Sequence, residues 1–147
     1  MSGGLASRDQ RLGLSARWLW CGEDLLVAVE GGEKPHIGAV AMATPRPSLA
    51  DPARSSATAS VFCYLGHKED GLAKDLAEAL AAALNVRVVV TAGAHWDGLG
   101  PQEIAQVEAS ARDLGRRLLA ALTAERAKTK TGGGKPRPYE EDSDSCL

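Results

Sequence analysis

The rhythm of apolar and polar residues changes repeatedly along the chain, and each change predicts an element. Leu12, Leu14, Ala16, Trp18 and Trp20 fall on every second position, the period of a half-buried strand. Gly22-Glu23-Asp24 reads as a short turn, and LLVAVE over 25–30 as a second strand, so the two form a β-hairpin that Gly31-Gly32 ends. Ile37–Ala43, an apolar run between Pro35 and Pro45, predicts a third strand covered on both faces. Over 57–65 the alternation returns, with Ala57, Ala59, Val61 and Cys63 on one face and Thr58, Ser60, Phe62 and Tyr64 on the other. The valines of 86–93 predict a fifth strand in a central position.

Between the last two strands the period lengthens. Leu72, Leu76, Ala79, Leu80 and Ala83 make one helical stripe. Glu69 and Asp70 suit the positive end of that helix, and Asn85 is a fitting residue to end it. A second helix starts at about Pro101 and ends at about Lys128, with Ile104, Val107, Ala111, Leu114, Leu118 and Leu122 at three- and four-residue steps. Residues 1–10, polar and glycine-rich, read as a flexible lead-in. Residues 129–147 are rich in Gly and Pro, then acidic; they bury too little apolar surface to offset ordering entropy and read as a disordered tail. The prediction is one α+β domain over 11–128 in the order β-β-β-β-α-β-α. Strands clustered ahead of helices argue for a largely antiparallel sheet of five to six strands with both helices on one face.

Composition narrows the classes. Hydrophobic residues are 44% of the chain but aromatics only 4%, so Ala, Leu and Val must build the core. A net charge of −2 argues against a nucleic-acid surface, which needs a clustered positive face. No apolar run approaches the ~20 residues that cross a bilayer, and MSGGLASRDQR lacks the apolar segment of a secretory signal. Cys21, Cys63 and Cys146 are odd in number and widely spaced, as suits free thiols in a cytoplasmic protein.

The candidate chemistry lies between the elements. His36, His67 and His95 all fall at strand–loop junctions, and a polar loop, TPRPSLADPARSS over 44–56, joins two of those strands. If the strand ends converge, one hollow collects His36, Arg46, Ser48, Ser55, Ser56, Thr58, His67, Lys68, Thr91, His95, Trp96 and Asp97. A metal site is one reading, but the histidines lie about thirty residues apart with no HxH or HExxH pair. Nucleophilic catalysis is another, yet no GxSxG elbow is present, and mid-strand Cys63 reads as a small core residue. The third reading is a ligand pocket. Arg46 offers a planar donor fork beside the Ser55 and Ser56 hydroxyls, Trp96 a flat face, and Gly66-His67-Lys68 amide donors at a helix start. That set fits an anionic planar ligand such as a flavin nucleotide. Trp18 and Trp20 read as core or oligomer contacts.

Three runs together carry a family resemblance: PHIGAVAMATPRPSL (35–49), SSATASVFCYLGHKED (55–70) and VVVTAGAHWDGL (88–99). Over roughly residues 12–125 the chain resembles the LpdD-like prenylated-flavin chaperones, whose fold is similar to that of the proteasome assembly chaperones. The resemblance implies a non-enzymatic homo-oligomer, most simply a dimer. It also implies that the protein binds prenylated FMN or FMN and helps deliver it to a UbiD-type decarboxylase of aromatic acids. An assembly factor that binds protein alone and a small histidine-dependent enzyme are the competing expectations.

Overall fold

The structure is a computed structural model that describes residues 1–130. The acidic segment read as a disordered tail lies almost wholly outside the described residues. Six strands and two helices follow one another as β1 (Ser2–Ala6), β2 (Leu14–Cys21), β3 (Asp24–Gly32), β4 (Ala39–Pro47), β5 (Ser55–Cys63), α1 (Asp70–Leu84), β6 (Val88–His95) and α2 (Pro101–Lys130). The class is the predicted α+β. The strands form one sheet in the order β1-β2-β3-β6-β4-β5. Every neighbouring pair is antiparallel except β3–β6, so the sheet is mixed. The valine-rich β6 inserts between β3 and β4, the central place its composition predicts.

Strand alternation sorts the sheet into two faces. Leu14, Ala16, Leu25, Val27, Val29, Ala39, Ala41, Ala43, Val88, Val90 and Ala92 point to one side and are buried there. Both helices cover that side. On α1 the buried stripe is Ala73, Leu76, Ala77, Leu80, Ala81 and Leu84, rotated from the predicted one so that Ala79 and Ala83 face outward. The rotation sets alanines of α1 against Ala39, Ala41, Ala43 and Ala57 of the sheet, all in one core. Small side chains on both partners let the backbones approach closely, which is how a core with so few aromatic residues fills its space. Asn85 ends α1 in the left-handed conformation (φ 54°), its N–H bonded to the Ala81 carbonyl, as its sequence position predicts. On α2, Leu114, Leu118 and Leu122 are fully buried. Gly100 N–H donates to the Glu103 carboxylate at 3.0 Å, half of a capping box that starts the helix.

Two expectations need correction. The N-terminal decade is not a loose lead-in: Ser2–Ala6 pairs with β2, from Ser2 opposite Leu19 to Ala6 opposite Ser15. Five residues with two glycines carry little periodicity, and the strand forms because β2 offers it an unpaired edge. Gly3 is needed there, since a Cβ would lie 2.4 Å from the Trp18 ring. The loop predicted over 44–56 is shorter, because β4 runs through Pro45 and Pro47, and β5 starts at Ser55. β6 pairs only with Ala39–Ala43. Beyond Ala43 that edge of β4 is open, so prolines there break no ladder bond.

Among the described residues the second face of the sheet carries no helix. Across it the register aligns Leu19, Leu26, Val89 and Met42, with Thr91, Val40 and Phe62 in the next row. Met42 and Phe62 are 63% and 62% exposed.

Candidate functional site

The polar residues singled out in the sequence lie at two ends of this open sheet. At one end three junctions meet: the segment leading into β4, the turn after β5, and the end of β6. They meet because β4 runs antiparallel to both β5 and β6. His36 comes from the first junction and His67 from the second. Their rings lie 4.5 Å apart between centroids, with His36 Nε2 2.9 Å from His67 Nδ1. His36 Nδ1 lies 2.9 Å from the Lys34 carbonyl oxygen. A carbonyl only accepts, so Nδ1 carries the proton and donates it, which leaves Nε2 with a lone pair in the neutral ring.

Glu69 completes this group. It stands at the N-cap of α1 yet makes no side-chain cap bond. Its carboxylate turns toward the histidines instead, 3.6 Å from His36 Nε2 and 3.8 Å from His67 Nδ1. Backbone N–H groups of Lys68 (3.0 Å) and Ala94 (3.4 Å) hold it there. Two glycines make room. A Cβ on Gly38 would lie 2.5 Å from Glu69 Oε2, and one on Gly93 would lie 2.0 Å from the His36 carbonyl oxygen. Sequence reasoning took Glu69 only as a helix-start charge; the signal it passed over is the His67–Glu69 spacing of two at the start of that helix.

His95 ends β6 at the same edge but has its own partners. Its Nε2 lies 2.9 Å from Asp97 Oδ1, and Lys34 Nζ donates to Asp97 Oδ2 at 2.8 Å. The hydrogen bond from Lys34, then that from His95, holds the Asp97 carboxyl below the usual carboxylate range; the bond to Asp97 raises the Lys34 ammonium. Trp96 points to the covered side. Its ring packs against the core, and its indole N–H donates to the Arg11 carbonyl at 2.8 Å. Lys68 is exposed, and Thr91 is half-buried in the open face opposite Val40.

Arg46, Ser48, Ser55, Ser56 and Thr58 lie at the far end. Arg46 stands seven residues beyond Ala39 on β4, about 23 Å at ~3.3 Å per residue. The convergence on one hollow within the protomer is therefore corrected. The β4–β5 hairpin carries its connecting loop to the opposite end of the sheet from the histidines. Arg46 is opposite Ser56 and projects on the open face. Its Nε donates to Thr58 Oγ1 at 2.6 Å and its Nη1 to the Pro47 carbonyl at 3.0 Å. Arg11, Arg17 and Arg87 each pair with a carboxylate; among the described residues none pairs with Arg46. Ser48 accepts from the Ala50 N–H within its own loop.

The arrangement is a half-covered sheet, polar at both ends and apolar between, with no serine, threonine or cysteine side chain bonded to any of the three imidazoles among the described residues. The fold is similar to that of a chain in the crystal structure of a novel chaperone complex for yeast 20S proteasome assembly. The TM-score is 0.53 at 13% identity, over 85% of this chain and 96% of that one, a likeness of fold alone. The family model of the prenylated flavin chaperone LpdD-like domain matches residues 8–123, and the chain belongs to this family. Protein LpdD of Lactiplantibacillus plantarum is 27% identical over 121 residues, 82% of each chain.

Proposed function

We propose that this protein binds prenylated FMN on the open face of its sheet without transforming it, and passes it to a UbiD-type decarboxylase in the cytoplasm. The observation that carries the reading is the Arg46 guanidinium, fixed by Thr58 and the Pro47 carbonyl and without a carboxylate partner among the described residues. A phosphate needs a charged fork with defined orientation. Arg46 supplies it, and the Thr58 hydroxyl, which accepts from Arg46, keeps its own proton to donate. Ser56 stands beside them. The residues that would lie along a ring system are apolar: Met42, Val89 and Val40.

One expectation about the ligand wall changes. Trp96, facing the core, is no platform for a ring on this face. Among the described residues nothing covers the open face. The exposed Leu19, Leu26, Met42 and Phe62 suit a protein cover, either the decarboxylase or a second copy in a homodimer. Family membership supports a chaperone role.

Calorimetric titration with FMN and with prenylated FMN tests the reading. Binding in the micromolar range is expected, weakened about 10- to 100-fold by Arg46→Ala, the loss of one charge-assisted pair. Absence of binding to either flavin at high micromolar concentration contradicts it.

A further inference from the structure

We propose that His36, His67 and Glu69 form a binding site for one divalent first-row transition-metal ion. The ligand atoms lie close enough together for one ion to reach all three. With metal–ligand bonds of ~2.1 Å, neighbouring donors lie ~3.0 Å apart in an octahedral and ~3.4 Å in a tetrahedral site. Here the two ring nitrogens are 2.9 Å apart, Glu69 Oε1 lies 3.6 Å from His36 Nε2 and Oε2 lies 3.8 Å from His67 Nδ1, and with one atom from each residue the three fall within 4.8 Å of one another. A rotation of the Glu69 carboxylate and shifts on the order of 1 Å bring all three to one centre.

Direct hydrogen bonding explains the group less well. His36 Nε2 carries a lone pair, because Nδ1 donates to Lys34, and Glu69 brings two acceptor oxygens. Only His67 Nδ1 has a proton to offer, and it reaches one partner. Both carboxylate–imidazole separations exceed hydrogen-bond length. A cation satisfies all three donors at once, with His67 Nδ1 deprotonated.

The surroundings match a metal site as well. A metal-bound histidine commonly donates its second ring N–H to a backbone carbonyl, which fixes ring and tautomer; His36 does so to Lys34. The carboxylate is oriented by two backbone N–H groups. Gly38 keeps clear the space between Glu69 and His36. The side chains of His36 and Glu69 are 25% and 16% exposed, that of His67 36%, so the site is anchored in the fold and open on one side. Two imidazoles and one carboxylate suit Mn²⁺, Fe²⁺ or Zn²⁺ and are wrong for Mg²⁺ or Ca²⁺, which prefer oxygen throughout. Three protein ligands leave at least one position for water.

The test uses the full chain, stripped with chelator and titrated with ZnCl₂ by calorimetry, with MgCl₂ as control. One equivalent of Zn²⁺ per chain is expected and no Mg²⁺. Affinity should fall more than ~100-fold in His36→Ala and in Glu69→Gln, and stay unchanged in His95→Ala and Cys21→Ser. Circular dichroism establishes that each variant is folded. Co²⁺ added to the unaltered protein gives a second reading that depends on no variant: visible d–d bands without a thiolate charge-transfer band. No Zn²⁺ binding above the Mg²⁺ control, full binding in folded His36→Ala, loss in His95→Ala, or a thiolate band would each overturn the assignment.

Discussion

The two ends of the sheet contrast in how their polar groups are held. At the histidine end, His36 and Glu69 are half-buried and His67 is exposed beside them. Two glycines and the backbone groups of Lys34, Lys68 and Ala94, from two connections and β6, support them. At the Arg46 end one guanidinium rests on one hydroxyl and one carbonyl of the same hairpin. The first is a rigid cluster of donors arranged around a point. The second is a charge presented on a surface. The difference teaches that the nine-residue span of β4 keeps the two polar ends apart, so the proposed cation site and the proposed anion site do not share residues.

The largest expected effect breaks the rigid end. Gly93→Ala drives a Cβ into the His36 carbonyl and should cost on the order of 3 kcal/mol, read by denaturant unfolding. Per folded molecule, FMN affinity should be unchanged. A matching loss of FMN affinity would mean that the two ends act as one site. Next comes Met42→Asp on the apolar strip between them. Met42 is 63% exposed, so stability should move by less than ~0.5 kcal/mol, whereas FMN binding should weaken roughly tenfold through lost apolar cover. Unchanged binding would remove the strip from the ligand's path.

Trp96→Phe leaves the Arg11 carbonyl without its indole donor and should cost about 1 kcal/mol of stability. Flavin affinity should not respond; a clear loss would restore Trp96 to the ligand wall. The smallest effect concerns pH. Backbone donation from Gly100, then the bond from Arg11, holds the Glu103 carboxyl below its usual range. A group whose folded pKa is lowered stabilises the fold above its unfolded pKa, about 4.3. That contribution fades as pH falls through the lower folded value. Glu103→Gln should therefore lower the unfolding midpoint slightly at neutral pH, converge with the parent chain at the acid end, and so flatten the acid limb between. Since Glu103 lies at the start of α2, neither end of the sheet should notice.

The sequence made the elements legible where period and caps agreed. The valines of β6 and the Asn85 stop appear as read, and the alternation read from Leu12 to Trp20 holds as a strand from Leu14 onward. β1 was hidden because its stability lies in pairing with β2 and not in its own five residues. The stripe of α1 was rotated because alanine is nearly neutral in a periodicity argument, while in the core its small size decides which face approaches the sheet. Strand order was out of reach, since β6 joins β3 and β4 through contacts distant in sequence. Within the site, the junction positions of the three histidines were legible, but their meeting at one end was only a condition of the reading, since it depends on strand directions. Arg46 was misplaced because a loop between two strands can lie at either end of a sheet until the direction of each strand is known. Glu69 escaped notice because a glutamate at a helix start already has an ordinary explanation in the helix dipole.

The central claim is that Arg46 on the open face anchors the flavin phosphate independently of the histidine cluster. FMN titrated into Arg46→Ala and into His36→Ala, side by side and with both shown to be folded, tests it most directly. The account predicts a 10- to 100-fold weaker Kd for the first and an unaltered Kd for the second. Equal binding in Arg46→Ala and in the parent chain, or a loss confined to His36→Ala, would contradict it.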